Sequence, residues 1–179
     1  MILDKNQKRS YSIELYDPLW ISKFNGIKKM LKEVFGSKAI VIEHVGSTSI
    51  PGMKAKPIID ALVIVEKMEP FITEKELMVQ KGYEWGENYI APDTLIFYKT
   101  DGDRKTENIH VCVKGSFKAT QFIVMRDYLR SHPDKAKEYS DIKDKLKKQF
   151  PDDYPAYRAG KHDLLEEIEK LARVWKLKI

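Results

Sequence analysis

Apolar and polar positions follow two rhythms along this chain. Between positions 17 and 36 the rhythm is helical: Trp20, Phe24, Ile27, Leu31 and Val34 recur at spacings of 4, 3, 4 and 3 and form one apolar stripe. Asp17 is placed to cap that helix, Pro18 suits its first turn, and Gly36 is placed to end it. Ala39–Ile42 and Pro57–Val65 are short apolar runs rich in β-branched residues, which predicts buried strands. Glu69–Lys81 reads as a helix with Pro70 at its start and Gly82 past its end. Thr94–Lys99 and Asn108–Val113 read as two further strands, separated by a polar hairpin-like loop from Thr100 to Thr106. Tyr11–Leu15 suits a short edge strand.

From Ser116 onward the rhythm stays helical. Phe117–Ser131 predicts one helix that ends near His132-Pro133. A second begins near Pro133 and carries Ala136, Tyr139, Ile142, Leu146 and Phe150 on one face. A third carries Tyr157, Leu164, Ile168, Leu171 and Trp175. The expected fold is α/β (α+β), a small mixed sheet flanked by helices with a helical C-terminal region. One domain over 1–179 is expected, with a mixed core over 1–115 and the helical part over 116–179.

Composition supports this reading. Hydrophobic residues make up 42% of the 179 and charged residues 33%, enough for a core and against disorder. No apolar run approaches the roughly 20 residues that span a bilayer, so no membrane partner is expected. The stretch Met1–Arg9 lacks the apolar centre of a signal peptide, and the single Cys112 excludes an internal disulfide. Both fit a cytoplasmic protein. The net charge of +5 and pI of 9.0 favour anionic small ligands. Lysine clusters at 143–148 and 176–178 read as solvated helix faces, so nucleic acid is not the expected partner.

The densest chemistry lies between Glu43 and Asp60. Gly46-Ser47-Thr48-Ser49 is a small, hydroxyl-rich turn. Its glycine permits close backbone approach, and its amides and hydroxyls can donate to phosphate oxygens. A capped structural turn explains the same residues. Lys54 and Lys56 can place positive charge beside an anion there, or stand in solvent. Asp60 interrupts an otherwise apolar strand, and an unpaired buried carboxylate is costly. Two readings stand for it: a divalent-metal ligand, or a carboxylate that caps a loop or pairs with a lysine such as Lys56. Alternation puts Asn108, His110 and Cys112 on one strand face, so His110 would meet Asp60 if their strands are neighbours. Glu43 and His44 precede the turn. Arg126 can bind a phosphate with Asp127 orienting it, although a local ion pair on the helix surface explains both more cheaply.

These residues carry a family resemblance. Tyr16-Asp17-Pro18 with Trp20, Ile42–Gly52, Ala55–Asp60, Ile109-His110-Val111 with Gly115-Ser116, and Arg126–Arg130 before His132-Pro133 resemble the GrpB family. That family is placed in the nucleotidyltransferase superfamily of DNA polymerase beta-like folds. Tyr139, Lys143, Tyr157 and Lys161 continue the match over nearly the whole chain. The resemblance implies a mixed sheet with helices, a Gly-Ser turn opening a helix, and acids on following strands that bind Mg²⁺ or Mn²⁺. Carried over, Gly46, Ser47, Thr48 and Ser49 with Lys56 and Arg126 would hold phosphate. Asp60 and Glu43 would hold metal, and Asp60 with His110 would serve catalysis. The ligand would be a nucleotide or another phosphorylated small molecule, and the reaction nucleotidyl transfer to an acceptor. One departure is plain: the superfamily pattern wants a second carboxylate two residues after Asp60, where Leu62 stands. Two-metal transfer relies on several carboxylates. One metal held by Asp60 with Glu43 or His110, an altered reaction, and a binding module without catalysis all fit that departure.

Overall fold

The computed structural model describes residues 11–178. The first nine residues, read above for targeting, lie outside them. Five strands form one sheet: β1 (Ala39–Val45), β2 (Ile59–Val65), β3 (Glu84–Glu87), β4 (Leu95–Asp101) and β5 (Arg104–Val113). Their spatial order is β1-β2-β5-β4-β3. β2 pairs antiparallel with β1 and parallel with β5, and β4 pairs antiparallel with both β5 and β3. The sheet is therefore mixed, as the sequence leads one to expect.

Strand alternation divides the core in two. Ile42, Ala61, Val63, Val65, Ile109 and Val111 face α1 (Leu19–Phe35) and α2 (Ile72–Gln80), and pack with Trp20, Leu31, Phe35, Phe71 and Met78. Val45, Leu62, Ile64 and Cys112 face the opposite way and pack under Ala119 of α3 (Phe117–Ser131). Burying each large aliphatic or aromatic chain contributes roughly 1.5–3 kcal/mol, so β2, apolar on both faces, is the sheet's anchor. A third cluster lies among α3, α4 (Pro133–Gln149) and α6 (His162–Lys176). Ile50 and Met53, from the segment between β1 and β2, insert into it, so the signature segment is packed into the helical half of the chain.

Several boundaries differ from the sequence reading. The polar segment Thr100–Thr106 is mostly strand, because β4 and β5 continue to a tight turn at Gly102-Asp103. β3 lacks an apolar alternation; it is an edge strand held by its pairing with β4. α2 starts at Ile72, because Phe71 has φ 48 and buries its ring beside Phe35. The stripe from Tyr157 to Trp175 belongs to two helices, α5 (Tyr154–Gly160) and α6, with a break at Lys161. Tyr11–Leu15 contributes one isolated bridge, Glu14 with Ala55. Asp17 does cap: its Oδ1 accepts from the Leu19 amide at 2.9 Å. Among the described residues no helix is long and apolar enough to cross a membrane.

Candidate functional site

β1 ends at Val45, and Gly46 turns the chain with φ 70 and ψ −175 into a single 3-10 turn at Ser47–Ser49. Val45 lies opposite Asp60 in the β1–β2 register, so the turn sits directly over that carboxylate. Parallel pairing of β2 with β5 sets Asn108 beside Asp60, and alternation brings His110 to the same face. Asp60 Oδ1 accepts from Asn108 Nδ2 at 2.8 Å and lies 3.4 Å from His110 Nε2. Burial alone would raise the Asp60 carboxyl. Hydrogen bonds from His110 and Asn108, with Lys56 nearby, outweigh it and hold the group below its ordinary value. Asp60 is thus an anion at the floor of the turn. Among the described residues, the buried His110 Nδ1 and Asn108 Oδ1 have no hydrogen-bond partner.

The hydroxyls of the turn divide by role. Thr48 donates to the Ile58 carbonyl at 3.2 Å and contacts His44 Nε2 at 3.1 Å, while Ser49 donates to the Gly46 carbonyl at 2.6 Å. Both are committed to holding the loop. Ser47 Oγ accepts from Lys143 Nζ at 2.8 Å, which leaves its own proton for another acceptor.

Lys143 also donates to the Lys54 carbonyl at 2.8 Å and lies 4.1 Å from the Tyr139 ring centroid. Arg130 donates twice to the Ser49 carbonyl, at 3.0 and 2.7 Å, and Ser140 Oγ accepts from the Lys54 amide at 3.2 Å. The helical half thereby clamps the turn from outside. Lys143 corrects the reading of 143–148 as a solvated face: it is only 2% exposed. The signal was present in the spacing, since Ala136, Tyr139, Lys143 and Leu146 form the buried stripe of α4.

Two lysines of the helical half, Lys143 and Lys161, stand at the turn, and Lys56 lies near Asp60. Burial, reinforced by Lys161 and Lys56, holds the Lys143 ammonium well below its usual value, with Asp144 opposing. Burial lowers Lys56 as well, Lys161 adding to it and Tyr154 and Asp60 opposing. Lys56 Nζ donates to the Tyr154 hydroxyl at 2.6 Å, and Lys161 Nζ to the Tyr139 hydroxyl at 3.4 Å. Lys161 stands at the α5–α6 break, on the wall of a cavity of about 640 Å³ that opens over Gly46 and Ser47.

Glu43 and Arg126 are brought together, but as each other's partners. Arg126 Nη1 donates to Glu43 Oε2 at 2.6 Å and to the His44 carbonyl at 3.1 Å, while its Nε donates to Asp127 at 2.8 Å. Arg126 lines the cavity with two carboxylates already on it, and Glu43 faces Leu62 in the register, two pairs along from Asp60. The set Asp60, Glu43, His110 therefore does not fit a resident divalent cation. One oxygen of Asp60 carries two protons' donors, Glu43 is claimed by Arg126, and Leu62 is hydrocarbon. Among the described residues no group of three or more His, Cys, Asp or Glu side chains could hold a metal ion.

His44 has a structural role with a pH signature. Its ring stacks on Phe24 at 4.6 Å and 8°, and burial pushes it down to about 4, with Arg130 and Arg126 helping and Asp60 opposing. The folded state therefore keeps it neutral, and its contribution is complete above about pH 6.5, the usual unfolded value. That contribution is lost as pH falls from there through about 4, and is worth up to about 3 kcal/mol. Urea unfolding at pH 7 and pH 4.5 should show a smaller loss in His44→Gln than in the wild type. Equal losses would remove His44 from the acid response.

Known proteins share this architecture. A family model described as GrpB protein matches residues 10–171. The UPF0157 protein YqkA of Bacillus subtilis is 40% identical over 170 residues, covering 94% of this chain and 49% of its own length. This chain thus spans about half the length of that relative. A dephospho-CoA kinase of Mycolicibacterium paratuberculosis is 28% identical over 184 residues, 89% of this chain and 45% of its own. The crystal structure of conserved protein GrpB from Enterococcus faecalis matches with a TM-score of 0.86 at 29% identity, covering 92% of this chain and 99% of that one. The sheet order, the Gly46 turn over Asp60 and these matches agree: the chain belongs to the GrpB family, within the nucleotidyltransferase-like superfamily.

Proposed function

We propose that the protein binds a phosphorylated small molecule of the nucleotide class, with its phosphate at the Gly46–Ser47 turn. The observation that carries this reading is the placement of Lys143 on Ser47 and of Lys161 on the wall of the cavity over that turn, where Lys161 and Lys56 add to the cost of the buried Lys143 charge. An anion placed among them relieves that repulsion and gains charge-assisted hydrogen bonds. Ser47 supplies a hydroxyl oriented by Lys143, and Lys161 and Arg158 stand on the cavity wall. The superfamily and a relative named as a kinase of dephospho-CoA add support.

Nucleotidyl transfer is the finer form of this proposal, and Asp60 is the residue it rests on. With Glu43 claimed by Arg126, any Mg²⁺ or Mn²⁺ would enter with the nucleotide's phosphates as part of the substrate. Asp60 would then meet it alone. Titration calorimetry with phosphate, AMP and ATP, with and without Mg²⁺, tests both levels. Lys161→Met should weaken every ligand by about tenfold or more, the worth of a hydrogen bond to a charged group. Asp60→Asn should abolish only the Mg²⁺ dependence. Absence of binding across the panel at millimolar concentration sinks the proposal. Pyrophosphate release that Asp60→Asn abolishes in a folded protein would establish transfer.

A further inference from the structure

The cavity over the turn is far larger than a phosphate requires. Its about 640 Å³ lies within the range of sites for whole small molecules. With Gly46 and Ser47 its lining includes the basic side chains Lys118, Arg126, Arg158 and Lys161, and the acidic Glu166 and Glu169. Ile50, Phe122, Met125, Leu129 and Leu165 contribute a hydrocarbon wall to the same cavity. These are not stray surface residues. Ile50 and Leu129 belong to the cluster that joins α3, α4 and α6, and Met125 and Leu165 are half-buried against it.

The polar groups of the outer wall are already paired with one another. Gln121 donates to Glu169 and accepts from Lys118 at 2.8 Å, and Glu169 also takes Arg173 at 2.8 Å. Glu166 stands at the exposed rim, turned to solvent. A ligand portion lying along Phe122, Met125 and Leu165 therefore meets hydrocarbon and committed polar atoms, and gains by shedding its own water from apolar surface.

Resting on the phosphate reading above, we infer that this cavity takes the apolar portion of its ligand: a phosphate monoester or diester bearing an alkyl or acyl chain. The basic side chains fix the phosphate, and the wall between α3 and α6 rewards chain length. Charge and hydrocarbon then line one cavity, as an amphiphilic anion requires.

Calorimetric titration of the full chain with inorganic phosphate and with ethyl, butyl, hexyl and octyl phosphate, all below micelle-forming concentrations, separates the two levels. Each methylene that is fully buried should tighten binding by about fourfold at most, and hexyl phosphate should bind at least about tenfold more tightly than ethyl phosphate. Met125→Gln combined with Leu165→Gln should flatten the series and leave inorganic phosphate unchanged, with folding checked by circular dichroism. Lys161→Met should weaken all members equally. A flat wild-type series with measurable phosphate binding overturns the amphiphile inference and leaves the phosphate site standing. A wild-type protein that binds neither phosphate nor any alkyl phosphate overturns both. AMP binding more tightly than octyl phosphate also overturns the inference, because the wall would then be reading a base.

Discussion

Gly46→Ala is expected to cost about 3 kcal/mol or more, far beyond what one methyl group usually changes. Two independent causes add. The backbone at Gly46, φ 70 and ψ −175, lies in a region that side chains avoid, which alone costs about 1–3 kcal/mol. A Cβ there would also stand 2.5 Å from Asp60 Oδ2 and 3.1 Å from its Cβ and Cγ. Asp60 cannot easily step aside, since Asn108 holds it and it belongs to β2, an interior strand of the sheet. For a chain of this size such a loss lowers Tm by roughly 6–12 °C. Gly52→Ala is the control: its φ is 76, yet nothing lies within 4 Å of a Cβ there. It carries the strain without the clash. Thermal and urea unfolding of both variants should give the larger loss to Gly46→Ala, and equal losses would mean that the approach of the turn to Asp60 is not constraining. Phosphate binding should fall with Gly46→Ala even where the protein stays folded, because the turn must move relative to Ser47's partner Lys143.

How far the sequence could be read depended on whether a residue's neighbours are local. The α1 stripe, the apolar run of β2 and the helical stretch Phe117–Ser131 are local patterns, and the structure repeats them closely; it adds an N-cap at Ser116, which accepts from the Ala119 amide at 3.3 Å. β3 was illegible because Glu-Trp-Gly-Glu has no apolar alternation and exists by pairing with β4. The break at Lys161 was hidden for the opposite reason: apolar spacings continue across it while the backbone does not. The juxtaposition of Asp60 with His110 was readable as a condition, and the parallel β2–β5 pairing supplies that condition. Of the basic half of the site, the sequence offers Lys56 and Arg126 as phosphate-binding candidates but gives no site role to Lys143 or Lys161. Lys143 and Lys161 stand about a hundred residues from Ser47, and lysine in a charged helix ordinarily means solvent. The one local clue was Lys143's place on the buried stripe of α4, where a solvated lysine has no reason to be. Glu43 shows the reverse error: a carboxylate adjacent to the turn in sequence is occupied by Arg126, a partner 83 positions away.

Leu62→Asp is the second change expected to act strongly, and it addresses why this chain lacks the additional carboxylate of the superfamily pattern. Leu62 is fully buried beneath α3 with Val45, Ile64, Cys112 and Ala119. Removing its hydrocarbon costs about 2–5 kcal/mol before any charge is considered. The new carboxylate would sit opposite Glu43 on β1 and His110 on β5, in a layer where Arg126 already serves Glu43 and Asp127. Burial would push its carboxyl up, so the folded state would favour the protonated form. The penalty is then largest at neutral pH and shrinks as pH falls toward about 4, the unfolded value. Leu62→Asn, similar in shape and uncharged, isolates that part: in urea unfolding the two variants should differ most near pH 7 and converge in acid. The decisive arm is metal. If position 62 were a dormant metal-ligand position, saturating Mn²⁺ would bind across Asp60 and the new carboxylate and restore stability to Leu62→Asp but not to Leu62→Asn. The expected result is no such restoration, because residue 62 points into the packed layer under α3, among Val45, Ile64, Cys112 and Ala119. A Tm recovered by Mn²⁺ in the aspartate variant alone would show instead that a single substitution separates this site from a two-carboxylate metal centre.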